Sequence, residues 1–172
     1  MTKGSRINSA ESTPYMQKHV RELAPCGWAL GVGEWIGVDL GCGNGRNTEY
    51  LKSAGYRNVY ACDLHTDYGH QLDISRDTIP VDDGTAHVIL LNYVMMFVSQ
   101  NHRPYVISEI DRIAAMNCSI VVELYAAKTS FTPTSELTHV LGTWIQVVLA
   151  ARGWKKVTGG PLRFIWQKRG EM

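Results

Sequence analysis

Three features of this 172-residue chain predict a doubly wound α/β fold with a mostly parallel sheet. Apolar strand-like runs alternate with helix-period segments from Trp35 onward. A glycine-rich turn joins the first of these strands to the first of these helices. The last two runs, 154–158 and 163–168, flank Gly159-Gly160-Pro161 and read as an antiparallel C-terminal hairpin. Parallel connections between such strands cross over right-handed.

The elements follow in order. One domain is expected over 1–172, with its core at 35–170 and an N-terminal arm and short lid helix within 1–30. Residues 1–13 are polar and rich in Ser and Thr, the composition of a flexible arm. Pro14 suits the first turn of a helix over 14–23, on which Tyr15, Val20 and Leu23 could share a face. Because the sheet sequence starts only at Trp35, this helix is read as dispensable for the core. It is a lid whose Tyr15 and His19 could close over a ligand. Residues 35–38 form a first strand, and a helix from 46 to 54 is stopped by Gly55. A second strand spans 58–62 and leads into Asp63. Residues 86–91 (Ala-His-Val-Ile-Leu-Leu) read as a strand covered on both faces. Pro104 opens a helix with Ile107, Ile110, Ile113 and Ala114 at helical spacing, and 119–124 is the next strand. Thr132-Pro133 reads as a cap and first residue of a helix carrying Leu137, Leu141, Trp144, Val148 and Leu149 on one side.

Composition narrows the function. Apolar content of 45% and charged content of 19% are those of a globular protein, and a net charge of +1 gives no global field for nucleic acid or lipid. A local exception is the stretch from Arg152, with six Lys or Arg and one acid, Glu171. Its cations and the aromatics Trp154, Phe164 and Trp166 are a candidate nucleic-acid surface, although strand packing explains the aromatics as well. Cys26, Cys42, Cys62 and Cys118 show no zinc spacing and suit buried thiols in a reducing cytoplasm. No metal site is expected. No apolar run reaches membrane-spanning length.

Gly41, Gly43 and Gly45 sit between the first strand and helix, where a bare backbone can turn sharply and the helix N-terminus offers unpaired N–H groups. The spacing is G-x-G-x-G rather than the dinucleotide G-x-G-x-x-G, and the G-K-[ST] ending of a P-loop is absent. Asp39, two residues before the first glycine, would repel a pyrophosphate. It would attract the ammonium and sulfonium charges of S-adenosylmethionine. Asp63, eighteen residues beyond Gly45, ends the second strand where a carboxylate can accept both ribose hydroxyls.

These residues carry a resemblance. The stretch 36–98 is similar to the core of the class I, Rossmann-like methyltransferases, whose first motif is matched nearly residue for residue by Val38-Asp39-Leu40-Gly41-Cys42-Gly43-Asn44-Gly45. Leu72-Asp73-Ile74 resembles the adenine-reading segment of that family, 79–89 resembles its Leu-Pro-Phe-x-Asp-Gly run, and Asn92-Tyr93 resembles the motif bordering the methyl group. The resemblance implies S-adenosylmethionine as cofactor, held by Asp39, Gly41, Cys42, Gly43, Gly45, Asp63, Leu64, Asp73, Ile74 and Asn92. Two departures matter. Nine residues between Asp63 and Asp73 are too few for a helix and a strand, so that region is expected to be shortened. His87 replaces a frequent family Asp and reads as a neutral core or edge histidine.

Asn92, Tyr93 and Glu123 are the candidate catalytic residues, with Glu123 as candidate general base, and Tyr125 follows at the same strand end. Met95, Met96 and Phe97 read as core. The [DNS]-P-P-[YFW] signature of amino-methylating DNA enzymes is absent at Asn92-Tyr93-Val94-Met95. Pro25-Cys26 precedes the glycine loop, unlike the Pro-Cys of cytosine-C5 enzymes. A small-molecule acceptor is therefore favoured over RNA, DNA or protein, with a silent partner-binding module as the alternative of another class.

Overall fold

The computed structural model describes residues 11–23, 35–124 and 135–169. Seven strands form one sheet: β1 (Ile36–Leu40), β2 (Asn58–Asp63), β3 (His70–Gln71), β4 (Ala86–Asn92), β5 (Ala114–Glu123), β6 (Trp154–Gly159) and β7 (Arg163–Lys168). Their order is β3-β2-β1-β4-β5-β7-β6. Pairings from β3 to β5 are parallel, whereas β7 runs antiparallel to both β5 and β6. This is the expected mostly parallel sheet with its C-terminal hairpin. The carboxyl ends of β1, β2, β4 and β5 lie along one edge, joined there by the start of β7.

Among the described residues, four helices cover the two faces: α1 (Pro14–Leu23), α2 (Arg46–Ser53), α3 (Arg103–Ile113) and α4 (Ser135–Ala151). Alternation along β4 divides its side chains. Val88 and Leu90 join Val121, Ile165, Leu51 of α2, and Met16 and Val20 of α1 in one cluster. Ile89 and Leu91 join Ile120, Val122, Ile107, Ile110 and Ile113 of α3, and Leu141, Ile145 and Leu149 of α4 in the other.

The first helix is therefore not dispensable. Met16 and Val20 are wholly buried, and full burial of such side chains contributes about 1.5–3 kcal/mol each. The buried face is Met16, His19 and Val20, with Tyr15 and Leu23 packed at its margin, so the stripe is wider than the sequence suggests. Met16 and Val20 share this cluster with Val88, Leu90 and Val121 of the sheet and Leu51 of α2.

Other differences are local. Ala114 opens β5 instead of ending α3, because the chain turns extended there (ψ 121°). Asn117 then takes a left-handed φ of 65°, near the register shift between β4 and β5. Between Asp63 and Asp73 the structure has no helix and only the two-residue β3, as the short spacing requires. His87 accepts the Ile36 N–H at 3.2 Å and stacks on Trp35, and burial holds its pKa below the usual value. Met95 and Met96 are core, but Phe97 is 64% exposed, contrary to expectation. Trp154, Phe164 and Trp166 are buried strand-packing aromatics. The Thr132-Pro133 cap, Pro25-Cys26, residues 1–10 and the side chain of Leu137 lie outside the described residues.

Candidate functional site at the carboxyl edge of the sheet

The glycine loop closes on itself through backbone bonds. The N–H groups of Gly41 and Cys42 both donate to the Cys62 carbonyl, at 2.8 and 2.9 Å, and Gly45 N–H donates to the Cys42 carbonyl at 2.9 Å. Gly41 has a φ of 78°, and a Cβ there would lie 2.5 Å from Cγ2 of Val94, so the loop seats directly on the segment after β4. Gly43, at φ 55°, faces open space, and its N–H donates to Oδ2 of Asp63 at 3.0 Å.

Asp39, the penultimate residue of β1, is fully buried. The Thr48 hydroxyl of α2 donates to its Oδ2 at 2.6 Å, while Oδ1 is buried without a partner. Burial raises the Asp39 pKa to about 6, against the opposing pull of the Thr48 hydroxyl and the Arg46 charge. Asp63 takes one backbone N–H on each oxygen, from Gly43 and from His65 at 2.9 Å. Each oxygen keeps a second lone pair. Beside it Leu64 is 46% exposed, an apolar side chain at the rim of the loop. An orphaned buried carboxylate oxygen, an open glycine and a paired-acceptor aspartate fit a ligand with an ammonium group and a diol.

Asp73 lies further out and is engaged locally. Its Oδ1 accepts Ser75 N–H at 3.0 Å and the Ser75 hydroxyl at 2.5 Å, and Arg76 Nε is 3.4 Å from Oδ2. The Ser75 hydroxyl holds its pKa below the usual carboxylate range. Ile74 is buried behind it. Cys42 and Cys62 are buried thiols, both pushed up to about 12 by burial.

Asn92, Tyr93 and Glu123 meet at the tips of β4 and β5. Asn92 accepts from Arg46 Nη2 at 2.7 Å and donates to Glu123 Oε2 at 2.8 Å. Glu123 is wholly buried and also accepts the Thr13 hydroxyl at 2.6 Å, while Arg163 Nε lies 2.8 Å from its Oε1. Tyr93 adopts a left-handed φ of 60°, rare for an aromatic residue, and its phenol is in hydrogen-bonding contact with Glu123 and Arg163. Burial, then the Glu123 charge, pushes the Tyr93 pKa up to about 12. Tyr15 belongs to the same cluster: Arg163 lies over its ring at 5.9 Å, and burial raises its pKa to about 12. His19 instead pairs with Glu22 at 2.8 Å. Tyr125 lies outside the described residues.

Sequence reasoning missed Thr13, Arg46, Thr48, Thr66, Tyr68 and Arg163. Thr48 could have been found, since it lies one helical turn beyond Gly45 on the sheet-facing side of α2. Thr66 and Tyr68 fold the segment after β2 over the loop: the Thr66 hydroxyl donates to the Gly43 carbonyl at 2.7 Å, and Tyr68 packs on Gly45. Arg163 needs the register Glu123↔Arg163 between β5 and β7, which no local pattern encodes. Among the described residues no group of His, Cys, Asp and Glu could hold a metal ion. None of their helices is long and apolar enough to cross a membrane.

The family of the methyltransferase domain matches residues 38–122, which include the site residues from Asp39 to Tyr93 but not Thr13, Tyr15, Glu123 or Arg163. No curated protein matches the chain by sequence. Among solved structures, an S-adenosylmethionine-dependent methyltransferase from Aquifex aeolicus is 17% identical, with 88% of this chain and 87% of that one covered and a TM-score of 0.59. The 1,6-didemethyltoxoflavin-N1-methyltransferase of Burkholderia thailandensis, solved with 1,6-didemethyltoxoflavin and S-adenosylhomocysteine, is 12% identical, with 90% and 79% covered and a TM-score of 0.62.

Proposed function

We propose, for a chain that belongs to the class I, S-adenosylmethionine-dependent methyltransferases, that the methyl acceptor is a small molecule held over the tips of β4, β5 and β7. The observation that carries this reading is the division of one sheet edge into two adjoining halves. Asp39, the glycine loop and Asp63 lie over β1 and β2, and the Asn92–Tyr93–Glu123–Arg163 cluster lies over β4, β5 and β7. Bound S-adenosylmethionine supplies a methyl group already activated on a sulfonium.

The residues then have separable tasks. Asp63 accepts the ribose hydroxyls on its remaining lone pairs, Leu64 offers an apolar face to the adenine, and Gly43 leaves room above the loop. Asp39, ionised at neutral pH, favours the ammonium end of the ligand. Ile74 and Asp73 border the adenine side, with Asp73 reached only at the oxygen facing Arg76. Asn92, fixed in orientation by Arg46 and Glu123, and Tyr93, protonated at neutral pH, present polar groups to the acceptor. Glu123 already meets Thr13, Asn92, Tyr93 and Arg163. It is better suited to hold this cluster than to take a proton from the acceptor. Such alignment of nucleophile and methyl group can supply much of the acceleration.

The 1,6-didemethyltoxoflavin bound to the Burkholderia enzyme supports a small acceptor here by analogy of fold alone. Buried thiols at Cys42, Cys62 and Cys118 support a reducing, cytoplasmic setting. Incubation with methyl-labelled S-adenosylmethionine and separate metabolite, RNA, DNA and peptide pools tests the proposal. Label is expected in the metabolite fraction; label confined to a macromolecular fraction overturns the small-molecule reading.

A further inference from the structure

Arg163 opens β7 directly opposite Glu123 of β5, so the two side chains leave the same face of the sheet. That face is the one covered by α1, since Ile165, two residues on, packs in the cluster of Met16 and Val20. Glu123 is wholly buried, whereas the Arg163 side chain is 58% exposed. Its Nε lies 2.8 Å from Glu123 Oε1, yet that oxygen accepts no aligned hydrogen bond. The guanidinium's other contacts among the described residues are the Tyr93 hydroxyl and the Tyr15 ring, whose centroid is 5.9 Å from Cζ. An arginine carries five N–H donors. Glu123, Tyr93 and Tyr15 therefore fix the position of this cation and leave most of its fork open on the acceptor half of the edge. The Tyr15 hydroxyl, buried within reach of both charges, also has no partner among the described residues.

We propose that the methyl acceptor is a small carboxylic acid and that Arg163 selects it, pairing the acceptor's carboxylate with its outward N–H groups; this rests on the small-molecule reading above. The planar fork of arginine can give a carboxylate two parallel N–H bonds. The charges of the edge favour a single negative charge. Asp39 and Glu123 offset Arg46 and Arg163, while S-adenosylmethionine brings a sulfonium, an ammonium and a carboxylate. One net positive charge remains, and a monoanionic acceptor cancels it. A dianion such as phosphate overshoots, with the Glu123 carboxylate directly behind the arginine to repel it. A cationic acceptor meets Arg163 and the sulfonium together. Glu123 holds Arg163 and Asn92 alike, so an acid anchored on Arg163 is registered against the tip of β4.

Calorimetric titration of the full chain saturated with sinefungin compares salicylate, anthranilate, phenylacetate and indole-3-acetate with their primary amides. Sinefungin keeps a positive amine where the sulfonium stands and has no methyl group to give up. At least one acid is expected to bind roughly tenfold to a hundredfold more tightly than its amide. If no acid exceeds its amide, the proposal is overturned. The double variant Arg163→Gln with Glu123→Gln removes both charges without leaving a buried carboxylate unpaired. It is expected to bind that acid and its amide within about threefold of each other, and a retained preference for the acid overturns the assignment to Arg163. Should circular dichroism show the double variant unfolded, Arg163→Lys decides, because it keeps the charge beside Glu123 and lacks the fork. It must weaken the acid by at least about fivefold, and unchanged affinity overturns the proposal. Binding of sinefungin with no preference for acids overturns this inference alone. If sinefungin does not bind, the cofactor reading falls with it.

Discussion

Replacing Asp39 by Asn removes a buried charge that the fold tolerates and the cofactor exploits. Burial moves the Asp39 pKa from 3.8 to about 6. Because the folded value is the higher one, the folded state binds the extra proton. The stabilising contribution is therefore complete below the unfolded pKa and is lost as pH rises through about 6. A difference of about two pKa units corresponds to about 3 kcal/mol. Asn cannot titrate, so the unfolding free energy of Asp39→Asn minus that of the wild type should climb by about that amount from acid to about pH 8. The amide also leaves an NH2 group where Oδ1 has no partner, a constant cost of about 1–3 kcal/mol that displaces the curve without bending it. Urea unfolding followed by tryptophan fluorescence, at intervals across this pH range, measures the difference directly. Most other titrating groups are common to both proteins and cancel. Affinity for S-adenosylhomocysteine should rise through the same window in the wild type and be weaker and flat in the variant. A stability difference independent of pH would refute the reasoning, because Asp39 would then titrate as a solvated carboxylate.

Three further outcomes are expected. Asp63→Ala should weaken S-adenosylhomocysteine binding by about 1.5–3 kcal/mol, roughly tenfold to a hundredfold, while circular dichroism shows the fold intact; unchanged affinity would leave Asp63 as a turn residue. Gly41→Ala forces a left-handed φ on alanine and a contact with Val94, so its thermal midpoint should fall, with a destabilisation of about 2–5 kcal/mol. Met16→Ala should cost about 2–5 kcal/mol in chemical denaturation, and deletion of residues 1–23 should abolish folding; full activity after deletion would show that α1 is peripheral.

What could be read from the sequence was what is contiguous in the chain. Strand, glycine loop and helix follow each other within 36–53, so Asp39 and its loop are recognisable from spacing alone. Asp63 lies at the end of the next strand and is nearly as local. The shortened stretch before Asp73 follows from a length that leaves no room for a helix. The rest depends on partners distant in sequence. Glu123 reads as a base from its position at a strand end, but its role as a hub appears only when Thr13, 110 residues away, and Arg163, across the β5–β7 ladder, converge on it. The packing of α1 is similar: Met16 and Val20 form a short stripe whose target, Val88, Leu90 and Val121, is exposed only once the strand order is known. Tyr93 also gives no local sign of its left-handed backbone, since aromatic residues seldom adopt it.

The central claim is that an acid just before a G-x-G-x-G loop selects a cationic sulfur nucleoside over a pyrophosphate. Calorimetric titration of the purified chain with S-adenosylmethionine, S-adenosylhomocysteine and NAD tests it most directly. Micromolar binding of both sulfur nucleosides, with NAD far weaker, is the predicted result; NAD binding as tightly as either would contradict the account.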